Sequence, residues 1–241
     1  MNTMTEDGLR SFQKLVTEAL SEEKIKGIII TSGKVDFSGG MDLSTLEALK
    51  RNSGSDPASK IFDYIMQAHG LLRKIELGRI DDTSKSKPVA FAGSGICAGI
   101  GTEIGLACHR RFLSSSKNSK IGLPEILVGL FPGLGGTTRV PRMMGLMGAS
   151  SVLLEGKLFT SDKAKSIGLI DEVVSEDELI QKAKDWVLSA SPQELVKPWD
   201  QKGFKFPGGA PYHPSGFMSF VGASALVNGK TKGLYFSAKA L

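Results

Sequence analysis

Two glutamates in glycine-rich company are the groups best placed to exchange protons with a bound molecule. Ala98-Gly99-Ile100-Gly101-Thr102-Glu103 sets a carboxylate just behind glycines that let the backbone approach a ligand, and Ile121-Gly122-Leu123-Pro124-Glu125 sets a second one 22 positions further on. Two carboxylates over one reacting carbon can deliver one proton and remove another. A helix beginning near Gly99 would put Glu103 in or near its first turn. Unpaired N–H groups there favour a carboxylate and can cradle an oxygen gaining negative charge. The same position also suits a glutamate that only complements a helix dipole. Glu125 runs into Ile126-Leu127-Val128-Gly129-Leu130-Phe131-Pro132-Gly133. Such apolar company would desolvate it and raise its pKa, as a proton donor requires; a surface glutamate at a strand end is the plainer alternative.

A third segment, Phe37-Ser38-Gly39-Gly40-Met41-Asp42-Leu43, follows an apolar run, where α/β folds place ligands. Its N–H groups could grip an oxygen, or its glycines could mark only a tight turn. Gly135-Gly136-Thr137-Thr138-Arg139 lacks the spacing and the lysine of a phosphate loop, and reads as close packing at a helix start. No GxGxxG motif follows a strand, the three histidines have no metal-ligand spacing, and no GxSxG frames a nucleophile.

These segments need a scaffold. Leu9, Phe12, Leu15, Val16 and Leu20 form an apolar stripe that predicts a helix over 5–20 with Thr5 as its cap. Residues 28–31 read as a buried strand, 43–50 as a helix, 51–60 as a mobile polar loop, and 61–77 as a second amphipathic helix. Strands are expected at 87–93, 111–113 and 171–174, and helices at 99–108, 135–144, 149–154, 161–167 and 177–190. Alternating strands and helices imply an α/β fold with helices around a mostly parallel sheet. From residue 191 the prolines crowd, and 217–241 reads as weakly helical. A helix running straight into a buried strand is an unusual opening, which suggests a chain that starts late in its domain.

With 241 residues, the chain can bury a large core. Its 29 glycines are about 12% of the chain against a usual ~7%, and the excess sits largely between Gly93 and Gly148, so it marks a site or tight turns. The net charge of +5 favours an anionic, phosphorylated ligand, and its scatter argues against nucleic acid. Cys97 and Cys108 make no disulfide framework and fit a reducing, cytoplasmic setting. No apolar run reaches the ~18 residues of a membrane span.

Taken together, the motifs resemble the crotonase (enoyl-CoA hydratase/isomerase) superfamily, in particular the hydratase domains of multifunctional fatty-acid oxidation α subunits. Phe37-Ser38-Gly39-Gly40-Met41-Asp42-Leu43 resembles that family's F-S-A-G-x-D-L loop. Gly101-Thr102-Glu103 with Ala107-Cys108-His109-Arg110-Arg111 resembles its G-x-E and A-C-x-x-R run. Ile121 to Glu125 followed by Gly129-Leu130-Phe131-Pro132-Gly133-Leu134-Gly135-Gly136-Thr137 resembles its I-G-L-P-E…G-L-x-P-G-x-G-G-T pattern.

The resemblance implies an α/β crotonase-like spiral of ββα repeats. It implies hydration of a trans-2-enoyl-CoA to 3-hydroxyacyl-CoA in fatty-acid β-oxidation, with enoyl-CoA isomerase activity as an addition. Glu103 would activate water and Glu125 would protonate C2. Backbone N–H groups of Met41 and Ile100 would hold the thioester oxygen. Ser38, Gly39, Gly40, Asp42, Gly99, Gly101, Pro132 and Gly133 would line the substrate. No metal or cofactor is implied beyond the CoA of the substrate. NAD would enter only through a dehydrogenase domain outside this chain. A thiolase subunit and further copies of the chain are the implied partners.

The expected domain plan is a hydratase core over 1–190, lacking its first strands, and a Pro/Gly-rich extension over 191–241 leading toward that dehydrogenase region. The family usually has Gly where Ile100 stands, and often a smaller residue at Met41. A β-branched residue resists positive φ, so a reshaped oxyanion loop is expected. The alternatives are other thioester chemistry on the same fold, a nucleotide-binding module, and an inactive acyl-CoA-binding fragment that docks on a thiolase partner.

Overall fold

The structure, a computed structural model, describes residues 2–51, 54–210, 212–232 and 234–241. The chain opens with helix α1 (Glu6–Ser21), whose first turn is capped by the Thr5 hydroxyl accepting the Gly8 N–H at 3.1 Å. Strand β1 (Ile28–Ile30) and helices α2 (Leu43–Arg51) and α3 (Pro57–Leu77) follow. Next come β2 (Val89–Gly93), β3 (Ile96–Ala98), α4 (Ile100–Ala107), β4 (Arg110–Ser114) and β5 (Lys120–Gly122). A 3-10 turn (Glu125–Val128) leads into α5 (Gly136–Leu153), then β6 (Leu158–Thr160), α6 (Ser161–Ser166), β7 (Glu172–Val174) and α7 (Leu179–Ser189). Two further 3-10 turns (Pro192–Leu195 and Pro198–Asp200) precede α8 (Pro214–Thr231) and α9 (Phe236–Ala240).

Strands β1, β2, β4 and β7 form a four-stranded, all-parallel sheet in the order β1-β2-β4-β7. Every residue of β2 is buried, as a parallel strand covered on both faces requires. Its alternating side chains serve two cores. Val89 and Phe91 join the main cluster with Leu72, Ile75 and Leu106, whereas Ala90 and Ala92 face Leu179, Ala183 and Val187 of α7. The second sheet has the order β3-β5-β6, with β3 and β5 parallel and β6 antiparallel.

Helix α4 lies where the two sheets meet, and all eight of its residues are buried. A helix enclosed on every side must be apolar nearly all round, which leaves Thr102, whose hydroxyl donates to the Cys97 and Gly122 carbonyls, and Glu103 as its exceptions. Gly101 and Gly105, four residues apart, share one face. A Cβ on Gly101 would lie 2.5 Å from the Ser38 Cβ, and one on Gly105 would lie 3.1 Å from the Phe91 ring. Absent side chains on that face let α4 settle onto β2 and onto the loop after β1. Replacing fully buried Phe91 with alanine would cost ~3–5 kcal/mol.

Most expected elements form, with instructive differences. β1 is an edge strand with Ile28 and Ile29 only half-buried, so the fully buried strand expected there is corrected: it has a hydrogen-bonded neighbour, β2, on one side alone. The loop expected over 51–60 is shorter. Asp56 accepts the Ser59 N–H and caps α3, which starts at Pro57 because proline's fixed φ suits a first turn; Asn52 and Ser53 lie outside the described residues. The two helices expected at 135–144 and 149–154 form one run kinked at Gly145, where the backbone turns to φ 73°. Strands β3, β5 and β6 were not expected. Each is three residues long, too short for an alternating pattern to show.

Candidate active site

The second half of the loop after β1, from Phe37 to Asp42, is tied down almost completely. Phe37 and Ser38 donate their N–H groups to the Ser94 and Ile96 carbonyls, and Ala98 donates back to Ser38. The Gly39 N–H goes to the Asn2 carbonyl, that of Gly40 to the Ser38 hydroxyl, and that of Asp42 to the Met4 carbonyl. Between Phe37 and Asp42, the Met41 N–H is the one donor with no acceptor among the described residues. Buried backbone donors are nearly always paired, so a site of unpaired N–H groups is a place for a ligand oxygen.

The matching donor comes from α4. Gly99 gives its own N–H to the Gly122 carbonyl and takes φ 57°, the left-handed region that glycine tolerates. Ile100 then opens the helix, its N–H among the first-turn donors without an intrahelical acceptor. A Cβ on Gly99 would lie 3.3 Å from the Gly40 Cα, so the two loops touch through glycines that each precede a free donor. The reshaped loop expected from Ile100 is therefore corrected. Positive φ falls on Gly99, and among the described non-glycine residues only Lys232 has it. Ile100 points its side chain into the core.

Glu103 is 2% exposed. Its Oε1 accepts two backbone N–H groups, from Leu134 and Gly136, both at 2.8 Å. Burial pushes its pKa up to about 7, while those two bonds and the Arg139 charge pull it down. Glu125 heads the 3-10 turn, its Oε1 3.2 Å from where a Gly99 Cβ would stand. Its pKa is also raised to about 7, by burial first and then by the Glu103 charge, and its buried Oε2 has no hydrogen-bond partner among the described residues. Glu125 thus faces Gly99, and Glu103, held by fixed N–H donors at the 133–136 turn, lies near enough for its charge to act on Glu125.

The remaining candidates fall into two groups. Ser38, Gly39, Gly40, Gly99 and Gly101 build the contact between the loop and α4. Pro132 packs against Gly136, with its Cβ 2.8 Å from a Gly136 Cβ position, and Gly133 gives its carbonyl to His69 Nε2 at 2.8 Å. Asp42 sits beside them, but its carboxylate accepts the Ser44 N–H and hydroxyl, which also lower its pKa.

Residues the motifs did not single out surround the turn at 133–136. Arg139 pairs with Glu76 at 2.9 Å, both buried, and donates to the Leu134 carbonyl. Glu76 follows Leu72 by four positions, so an acid on the buried stripe of α3 was the available signal. Lys197 is buried in the proline-rich segment and donates to the Leu106 and Cys108 carbonyls at the C-terminal end of α4. Burial lowers its pKa to about 7.

A cavity of about 710 Å³ between α5 and the α8–α9 pair touches neither glutamate. A smaller one of about 250 Å³ is lined by Ile126 and Leu127, next to Glu125 in the chain, with Tyr235 and Ala238. Among the described residues no cluster could hold a metal ion, and no helix is long and apolar enough to cross a membrane.

A parallel-sheet fold that sets two carboxylates against two free backbone donors defines a class, and sequence comparison agrees. Residues 1–196 match the enoyl-CoA hydratase/isomerase family model, and the chain belongs to that family. It is 33% identical over 201 residues to a glyoxysomal fatty acid beta-oxidation multifunctional protein of Cucumis sativus, covering 83% of this chain and 25% of that protein. It is 34% identical over 236 residues to a fatty acid oxidation complex subunit alpha of Shewanella loihica, covering 98% of this chain and 31% of that one. The chain thus spans a quarter to a third of these relatives.

The solved enoyl-CoA hydratase of Geobacillus kaustophilus superposes with a TM-score of 0.67 at 25% identity, covering 80% of this chain and 71% of that one. The Thermoplasma volcanium enoyl-CoA hydratase shares the fold with a TM-score of 0.65, over 99% of this chain and 81% of its own. The crotonase fold expected from the motifs is the fold observed.

Proposed function

We propose that the chain hydrates trans-2-enoyl-CoA thioesters. The observation that carries this reading is Glu125 facing Gly99 beside the free N–H groups of Met41 and Ile100, with Glu103 near enough for its charge to raise the Glu125 pKa. A 2-enoyl thioester is electrophilic at C3 only as charge moves onto its carbonyl oxygen, and two preorganised donors stabilise that oxygen. The Glu103 carboxylate takes a proton from water while the water oxygen bonds to C3. The π electrons pass to C2, where the Glu125 carboxylic acid supplies the second proton. One water is consumed, the C2=C3 double bond becomes single, and the proton moves in effect from Glu125 to Glu103 until exchange with solvent restores both.

The contacts support this assignment of roles. Two N–H donors stabilise an ionised Glu103, while an unsupported Glu125 oxygen beside that charge favours the protonated acid. The chemistry needs no cofactor beyond the CoA of the substrate. The apolar cavity at Ile126 and Leu127 offers room for an acyl chain, and the charge of +5 suits the CoA phosphates.

The family match over 1–196 supports a hydratase core at 1–190. Residues 191–241 form its extension, with Lys197 and Asp200 docked on that core. The relatives described as multifunctional or as a complex subunit support a longer protein that adds an NAD-dependent hydroxyacyl dehydrogenase step and joins a thiolase subunit. Isomerase activity would use the same two carboxylates.

The test is loss of the conjugated enoyl absorbance of crotonyl-CoA, followed with the wild type and with Glu103→Gln. Turnover that disappears in the variant is expected; equal rates in both would refute the reading.

A further inference from the structure

Behind the catalytic base lies a row of charges that no step of the hydration uses. Asp200, in the 3-10 turn Pro198–Asp200, grips Arg73 of α3 through both carboxylate oxygens at 2.8 and 2.9 Å. Arg73 also reaches Glu76 at 2.7 Å. Glu76 holds Arg139 of α5 through the arginine Nε at 2.9 Å and Nη2 at 3.3 Å. The remaining arm of Arg139, Nη1, donates to the Leu134 carbonyl at 3.2 Å.

The turn at 133–136 is consequently held from two sides. Toward the site, the Leu134 and Gly136 N–H groups point at Glu103 Oε1. Away from it, the Gly133 carbonyl meets His69 and the Leu134 carbonyl meets Arg139. Between them Gly135 takes φ 104° directly beneath the guanidinium, where a Cβ would collide with Arg139 Nη1. Such a turn has little freedom while Arg139 is fixed, and Glu76 is the one acid paired with the buried Arg139 among the described residues. Leaving one partner of a buried ion pair alone is strongly destabilising, so the arginine would move.

We infer that the ion row Asp200–Arg73–Glu76–Arg139 is a positioning device for Glu103, aiming the two N–H donors that hold the base ionised and oriented. The inference rests on the proposed role of Glu103 and adds the residues that act through it. It also gives the proline-rich extension a part in catalysis, because Asp200 belongs to that extension.

The discriminating variant is Glu76→Gln. Two effects on Glu103 then have opposite signs. Removing a nearby anion would by itself lower the Glu103 pKa, whereas loosening the Leu134 and Gly136 donors would raise it. The charged groups facing Glu103 are Arg139 from α5 and Glu125 from the 3-10 turn, and neither is altered in this variant.

The experiment follows the carboxyl titration of Glu103 by carbon-13 NMR in the full chain, its resonance identified by loss in Glu103→Gln. Crotonyl-CoA kinetics are measured on the same proteins, with thermal melts to confirm folding. The expected result is a Glu103 midpoint raised by about one unit in Glu76→Gln, with kcat lowered roughly ten- to hundred-fold and KM little changed. Asp200→Asn should move both readouts the same way and less far. A midpoint that falls or stays in place would overturn the inference, even if the variant lost activity.

Should Glu76→Gln fail to fold, Arg139→Lys keeps the charge but loses the fork, and the same rise is expected. A wild type that does not hydrate crotonyl-CoA, with a midpoint that still rises in Glu76→Gln, would sink the hydratase reading and keep the positioning role. Hydration abolished by Glu103→Gln with no rise would do the reverse.

Discussion

The two carboxylates sit in contrasting surroundings. Glu103 lies on a fully buried helix, with two backbone donors on one oxygen and a row of ion pairs behind them. Glu125 lies on a short 3-10 turn beside exposed Leu127, Val128, Leu130 and Phe131, and one of its oxygens is buried without a partner among the described residues. Burial raises both pKa values to about 7, so the proton's location is decided by contacts and not by desolvation. The proposed roles assign the charge to the supported group and the proton to the unsupported one. A pair near enough to interact titrates in two macroscopic steps, and a hydratase needs the state with one proton between them.

The largest effect expected from breaking this contrast comes from Gly135→Ala. It forces a side chain into φ 104° and against Arg139, so the donors to Glu103 should shift; kcat for crotonyl-CoA should fall ~10²-fold, read by steady-state kinetics.

Glu125→Gln should lower kcat by up to a comparable ~10²-fold, because a proton donor is lost. The same change should stabilise the fold. The folded Glu125 pKa is raised from 4.5 to about 7, so its favourable contribution is complete below about pH 4.5 and disappears as pH climbs through 7. Thermal unfolding should therefore show the variant more stable than wild type by on the order of 1 kcal/mol at pH 8 and equal to it near pH 4.

Lys197→Met should act on stability more than chemistry. It removes the donor to the C-terminal carbonyls of α4, at a cost of about 1–3 kcal/mol in a denaturant melt. Ile100→Val should be mildest: the oxyanion donor is backbone, so kcat should hold while stability falls by ~0.5–1.5 kcal/mol.

What the sequence disclosed follows from chain distance. Glu103, Glu125 and the glycines around them lie in short runs that read locally as a candidate site, and the roles expected of them and of Met41 and Ile100 come from the family resemblance of those runs. The Thr5 cap and the stripe of α1 are equally local. Glu76 and Arg139 stand 63 residues apart, and Arg73 and Asp200 127 apart, so no window could join them. Lys197 hid in a segment whose prolines argue for an exposed connection, yet a 3-10 turn on either side folds it under α4. The free Met41 donor emerges only after the other N–H groups from Phe37 to Asp42 have been assigned partners. Ile100 misled because a positive φ was assigned to the wrong member of the Gly99–Ile100 pair.

The most direct test of the division between the carboxylates is the pH dependence of kcat/KM for crotonyl-CoA hydration in wild type and Glu125→Gln. The wild type should give a narrow bell centred near pH 7, its acidic limb set by protonation of Glu103 and its basic limb by ionisation of Glu125. Residual activity in Glu125→Gln should keep the acidic limb and lose the basic one. A wild-type rate flat from pH 5 to 9 (a window of about two units either side of the centre), or a variant that loses the acidic limb instead, would contradict the assignment of base and acid.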